Sequence, residues 1–117
     1  MTNEQVYAMP FAKVWPLLEQ KALGKGRTYE EVIAVTEWLT GYTEDDIQRM
    51  LKDGTGYGDF FRNAPGMNPD RFLIKGSVCG VKLDSIEDPL MRDIRYLDKL
   101  IDELARGKKL EKILRRG

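Results

Sequence analysis

Asp88-Pro89-Leu90-Met91-Arg92-Asp93-Ile94-Arg95-Tyr96-Leu97-Asp98-Lys99-Leu100-Ile101-Asp102-Glu103-Leu104-Ala105-Arg106-Gly107 decides the fold. Asp88 is a good N-cap, and Pro89 has its φ pre-set for the first helical position. Leu90, Ile94, Leu97, Ile101 and Leu104 then step by four, three, four and three residues, which lays one apolar stripe along a helix. Met91 and Leu100 widen the stripe, while Arg92, Asp93, Arg95, Asp98, Lys99, Asp102 and Glu103 fall mostly away from it. Lys99 with Glu103 and Asp102 with Arg106 are spaced as four-residue ion pairs, worth about 0.3 kcal/mol each. The stripe covers little over two heptads, fewer than a coiled coil needs, so the segment reads as the central helix of a small bundle. Gly107 ends it, and Lys108 to Arg115 carries Leu110, Ile113 and Leu114 for a final short helix.

Upstream, three helices are expected. Phe11, Val14, Trp15, Leu18 and Ala22 share one face of a helix ending near Gly24, with a kink or a short first turn at Pro16. Thr28-Tyr29-Glu30-Glu31 has capping-box spacing and starts a second, with Val32, Ile33, Thr36 and Leu39 inside and Gly41 as its left-handed stop. Thr43, with Asp46 three residues on, caps a third that carries Ile47, Met50 and Leu51 and closes at Gly54. Gly54 to Asp59, with three glycines in five residues, reads as a loop, followed by one helical turn over Asp59 to Asn63. Neither GxxxxGK[ST] nor GxGxxG occurs in it, so a phosphate or dinucleotide cradle is not the expected reading. Tyr57, Phe60 and Phe61 are expected to expose an adaptable surface there. Asn68-Pro69 opens a further turn. Phe72 to Leu83 is rich in β-branched residues, holds Gly76 and Gly80 and partly alternates, so it reads as a short hairpin or an ordered extended loop.

The expected fold is therefore mainly α: one domain over residues 1–117, about five helices, one short β hairpin or extended segment near 72–83, and flexible ends at 1–9 and 115–117. At this length folding buries roughly two thirds of the unfolded chain's surface, enough for a core without covalent staples. The chain holds 19 basic and 19 acidic residues, one cysteine and no histidine. Without histidine there is no Ser-His-Asp triad, Cys-His dyad or HExxH zinc site, and one cysteine allows neither an internal disulfide nor CxxC. Glu4 precedes the first lysine and no run of about 18 apolar residues occurs, so neither a targeting leader nor a membrane span is expected. The expected setting is the cytoplasm. No cofactor and no metal are expected.

Charge is unevenly placed: Glu30 to Asp70 has nine acids against three bases, and Arg106 to Gly117 has six bases against Glu111 alone. A balanced total argues against a dedicated nucleic-acid binder. The basic tail either complements a helix C-terminus or docks on an acidic surface, the protein's own included. Cys79, between Val78 and Gly80, reads as a small buried hydrophobe. Glu44-Asp45-Asp46 complements a helix dipole without a metal, and Asp98 and Asp102, each with a basic neighbour, read as an ion-pair face. Trp15 and Trp38 suit the core or its edge.

The run Gly76-Ser77-Val78-Cys79-Gly80-Val81, followed by Glu87 to Gly107, resembles the signature of a bacterial family catalogued as a domain of unknown function, DUF2200. Trp38-Leu39-Thr40-Gly41-Tyr42 and Gly26-Arg27-Thr28 resemble its earlier segments, and the likeness covers about Tyr7 to Leu114. It implies a small, stand-alone, cytosolic bacterial protein and carries over no catalytic residue. On the residues themselves the leading expectation is a non-enzymatic binding or protein-interaction module, with a second copy or a protein as partner. The competing one is a ligand-binding protein or small enzyme whose pocket gathers Cys79, Arg95 and Asp98 beneath the Gly76–Gly80 turn. A third is nucleic-acid binding through Lys108 to Gly117.

Overall fold

Thr2 and Gln5 cap each other's backbone at the start of α1 (Asn3–Ala8) in the computed structural model, which describes residues 1–117. The sequence reading assigns no element here, although Thr2-x-x-Gln5 carries the capping-box signature. α2 (Phe11–Leu23) buries Phe11, Trp15, Leu18 and Ala22 as the spacing predicts. It runs on through Pro16. Ala12 and Pro16 both face solvent, where the carbonyl that loses its amide partner can be hydrated. α3 (Tyr29–Thr40) begins with the Thr28–Glu31 capping box and stops at Gly41, whose φ is +81°. α4 (Glu44–Met50) is capped by Thr43 and Asp46, ends before Gly54 and buries Ile47 and Met50.

The next element corrects the sequence reading. α5 (Tyr57–Arg62) starts two residues before the expected turn and includes Gly58. Two long-range hydrogen bonds place it: Tyr57 N–H donates to the Met9 carbonyl at 2.7 Å, and Phe11 N–H to that of Thr55 at 2.9 Å. Gly58 serves close packing here, since a Cβ on it would stand 2.7 Å from the Tyr7 Cβ. Tyr57, Phe60 and Phe61, expected at the surface, are buried. The Phe60 ring stacks on Phe11 at 4.3 Å between centroids and meets Phe61 edge-on at 5.1 Å. The Tyr42 hydroxyl donates to the Phe60 carbonyl at 2.7 Å. Aromatic pairs of this kind add about 0.5–1.5 kcal/mol each beyond area burial.

A 3₁₀ turn over Pro69–Leu73, capped by Asn68, takes Phe72 and Leu73 out of the expected extended segment. The hairpin is β1 (Ser77–Val78) and β2 (Val81–Lys82), antiparallel with Ser77 opposite Lys82 and Val78 opposite Val81. Cys79 and Gly80 form its two-residue loop with φ of 51° and 79°, both left-handed as a type I′ turn requires. A second 3₁₀ turn, Leu83–Ser85, leads to α6 (Pro89–Ala105), capped by the Asp88 carboxylate, and α7 (Leu110–Ile113) follows. α6 is central, packing against α2, α3, α5, α7 and β1. One continuous core of 25 buried apolar residues results, so the elements share a single interior. No helix is long and apolar enough to cross a membrane.

Two further expectations change at the end of α6. Glu103, expected on the polar side, is buried and receives Arg115 through Nη1 at 2.8 Å and Nη2 at 2.6 Å, with Lys108 Nζ at 3.4 Å. The basic tail thus docks on the protein's own acid. Lys99, expected to pair with Glu103, instead donates to the Ser77 carbonyl at 3.0 Å and ties the hairpin to α6. Asp102 keeps Arg106 at 2.9 Å and adds Lys21 at 3.3 Å. Arg27 donates to the carbonyls of Leu104 at 3.0 Å and Lys108 at 2.6 Å, satisfying acceptors at the C-terminus of α6.

The same Arg27 pairs with Glu31 and holds its carboxyl at about 2, below the ordinary 4.5, with the Thr28 amide assisting. A carboxylate depressed on folding stabilises the protein above its unfolded pKa, and the contribution is lost as pH falls from about 4.5 toward 2. Glu31→Gln keeps the capping geometry and removes the charge. It is expected to lower stability by about 1 kcal/mol at pH 7, after solvent screening, and to keep only a small part of that deficit at pH 2, where the folded carboxyl is half protonated. Urea unfolding at the two pH values measures this, and an equal deficit at both would show that charge is not the cause.

Candidate functional site

The most composite concavity lies where α1, the 85–88 segment, β2 and α6 meet. Tyr7, outside its lining, ties together the elements that form it: its hydroxyl donates to Asp88 Oδ2 at 2.8 Å, joining α1 to the start of α6. Arg62 stands over the Tyr7 ring at 5.3 Å, and the Gly58 contact fixes α1 against α5. The open cleft so formed has a volume of about 670 Å³. Val6 of α1, Val81 of β2, Ile86 and Met91 supply apolar wall, and Arg95 reaches it from the second turn of α6. A second concavity of about 700 Å³ is lined only by residues between Leu110 and Arg116, so a single chain segment makes all of it. The first cleft is the better candidate because α1 converges there with the distant stretch that runs from β2 into α6.

Its charges are unequally engaged. The Tyr7 hydroxyl on Asp88 Oδ2, helped by the Leu90 and Met91 amides on Oδ1, holds the Asp88 carboxyl below the ordinary range. Burial, with Asp88 as hydrogen-bond acceptor, pushes the Tyr7 hydroxyl up to about 12. Arg95, with 31% of its side chain exposed, donates Nη1 to Asp98 Oδ2 at 3.0 Å, and its Nε and Nη2 donate to no protein atom. Burial pushes the Asp98 carboxyl up despite the opposing Arg95 and Lys21 charges. The buried Tyr57 hydroxyl has no hydrogen-bond partner, and burial followed by the Asp98 charge raises it well above its usual range. The cleft thus sets a guanidinium with unused donors beside apolar walls.

The structure separates the residues that the sequence reading groups. Arg95 and Asp98 are joined by an ion pair, and Arg95 lines the cleft. Gly76 and Gly80 shape the hairpin: Gly76, at φ +99°, accepts the Leu83 amide at 3.0 Å and lies beside Lys99, while Gly80 completes the turn. Cys79 lies at the tip of that turn, outside the cleft lining. The expectation that it is a buried hydrophobe is corrected, since the thiol is exposed. Alternation puts Val78 inward, and the two-residue turn then carries Cys79 past the end of the ladder, whatever its apolar neighbour suggests. The sequence reading singles out neither Val6 nor Ile86 and meets Val81 only in the hairpin segment, because nothing local marks α1 as a neighbour of residues 81–95. Asp98 and Asp102 turn to different partners, Arg95 for one and Lys21 with Arg106 for the other.

The family model described as "Uncharacterized protein conserved in bacteria (DUF2200)" matches residues 5–115. Among solved structures, the crystal structure of the uncharacterized protein SP1917 is 46% identical to this chain, with a TM-score of 0.91, covering 97% of this chain and 93% of that one. No curated protein matches. Neither description names a reaction or a ligand. The model spans almost the whole chain, and a relative nearly half identical in sequence shares its fold, so this chain belongs to the DUF2200 family.

Proposed function

We propose that this chain is a non-enzymatic binding module of the bacterial cytoplasm and that it holds its ligand in the cleft between α1, β2 and α6. One observation carries the reading: Arg95 brings unengaged donors to a concave surface whose walls include Val6, Val81, Ile86 and Met91. Mostly apolar walls with a few placed polar groups are the common composition of small-molecule sites, and 670 Å³ is of the size that holds such ligands. A cytoplasmic setting fits a chain whose one cysteine is an exposed free thiol.

The test uses the neutral apolar dye N-phenyl-1-naphthylamine on the folded chain. Saturable fluorescence enhancement is expected in the wild type, and at least tenfold weaker binding in Val81→Glu, which places a charge on the apolar wall at an exposed position. Thermal unfolding of the variant confirms that it is folded. Absence of saturable binding, or binding unchanged by Val81→Glu, overturns the reading.

A further inference from the structure

Resting on that reading, we infer that the ligand is an aliphatic monocarboxylate, its head on the free edge of Arg95 and its hydrocarbon body against Val6, Val81, Ile86 and Met91. A guanidinium presents five donors in a rigid plane, and its edges match the two oxygens of a carboxylate. Asp98 takes only Nη1, at 3.0 Å, which leaves the Nε and Nη2 edge for a second planar anion. Charge-assisted, paired hydrogen bonds of that geometry are among the stronger ones a protein makes.

The acids around the cleft set the charge of the head. Both Asp88 oxygens already accept hydrogen bonds, from two backbone amides and from Tyr7. Asp98 is turned to Arg95, and Lys21 of α2 adds its field. Asp98 Oδ1 and the exposed Glu87 carboxylate accept no protein hydrogen bond, but an ammonium taken by either would leave the Arg95 edge unmatched. Glu87 is exposed on the cleft lining and repels excess negative charge, so one carboxylate is favoured over a phosphate or a dicarboxylate. The apolar walls then select a body that gains by leaving water, at about 25 cal/mol for each Å² covered.

The experiment is isothermal titration of the full chain at pH 7 with octanoate, octan-1-ol and octylamine, beside the neutral dye. Octanoate is expected to bind at least tenfold more tightly than either of the others. The ratio of octanoate affinity to dye affinity is expected to fall at least tenfold in Arg95→Gln, to recover in part in Arg95→Lys, and to hold or rise in Asp98→Asn, which releases Nη1. Thermal unfolding of each variant separates lost binding from lost folding, and Arg95→Lys, which keeps the charge, carries the test if Arg95→Gln does not fold. Dye binding with octylamine or octanol equal to octanoate, or with the ratio unchanged in Arg95→Gln, overturns the carboxylate and leaves the binding module standing. Failure of dye and octanoate alike overturns both.

Discussion

Leu97→Ala is expected to cost about 2 to 5 kcal/mol of folding stability, the loss of a buried leucine's transfer energy together with the cavity it leaves. Leu97 has no exposed surface and sits in the middle of α6, the helix that packs against α2, α3, α5 and α7, so a cavity there opens in the shared core. A domain of this size is stable by only about 5 to 15 kcal/mol, so the melting temperature should fall by about 10 °C or more. Leu90 belongs to the same sequence stripe but is only half-buried at the first turn, and Leu90→Ala should cost about 1 kcal/mol. Urea unfolding with unchanged m-values measures both. Equal effects at the two positions would mean that the stripe, and not the packing, sets the energetics.

Arg115→Met is expected to cost about 3 kcal/mol, near the lower end for breaking a buried ion pair. Glu103 and Arg115 have only 8% and 15% of their side chains exposed, and removing the guanidinium leaves the carboxylate buried with Lys108 alone, 3.4 Å away and half in water. Lys108 keeps the cost from reaching the upper end. Glu103→Leu combined with Arg115→Met removes both charges while keeping apolar bulk, so the double variant should be more stable than Arg115→Met. Chemical denaturation of the single and double variants checks this. A double variant no better than the single would show that Arg115 acts through packing of its stem and not through Glu103.

Local signals were easy to read because the groups that satisfy them lie within one turn. Thr28 with Glu31, Thr43 with Asp46, and Asp88 ahead of Pro89 each cap a helix where the sequence predicts one. The same signal at Thr2 and Gln5 was available for α1 and carries the same physics. The glycines at 54, 56 and 58 misled because glycine has two uses, freedom of φ and absence of a side chain, and at 58 the second applies. Tyr57, Phe60 and Phe61 followed that element into the core.

The site was legible only in part. Arg95 and Asp98 stand out in the sequence as charges near an apolar stripe, but the groups around them come from elsewhere: α1 is brought to α6 by Tyr7 and Asp88, 81 residues apart. Arg27 reaches the Leu104 carbonyl across 77 residues, and no pattern near Gly26 announces it.

What the amino-acid order determined alone is where helices start, stop and turn their apolar faces, since caps, prolines and a period of 3.6 residues act over a few neighbours. Only the tertiary structure decided what each polar side chain does there: Glu103 buried under Arg115, Cys79 at an open turn, Arg95 facing the cleft. A buried charge or hydroxyl is stabilised or penalised by whichever distant segment lies against it, and that segment is chosen by the packing of the whole core.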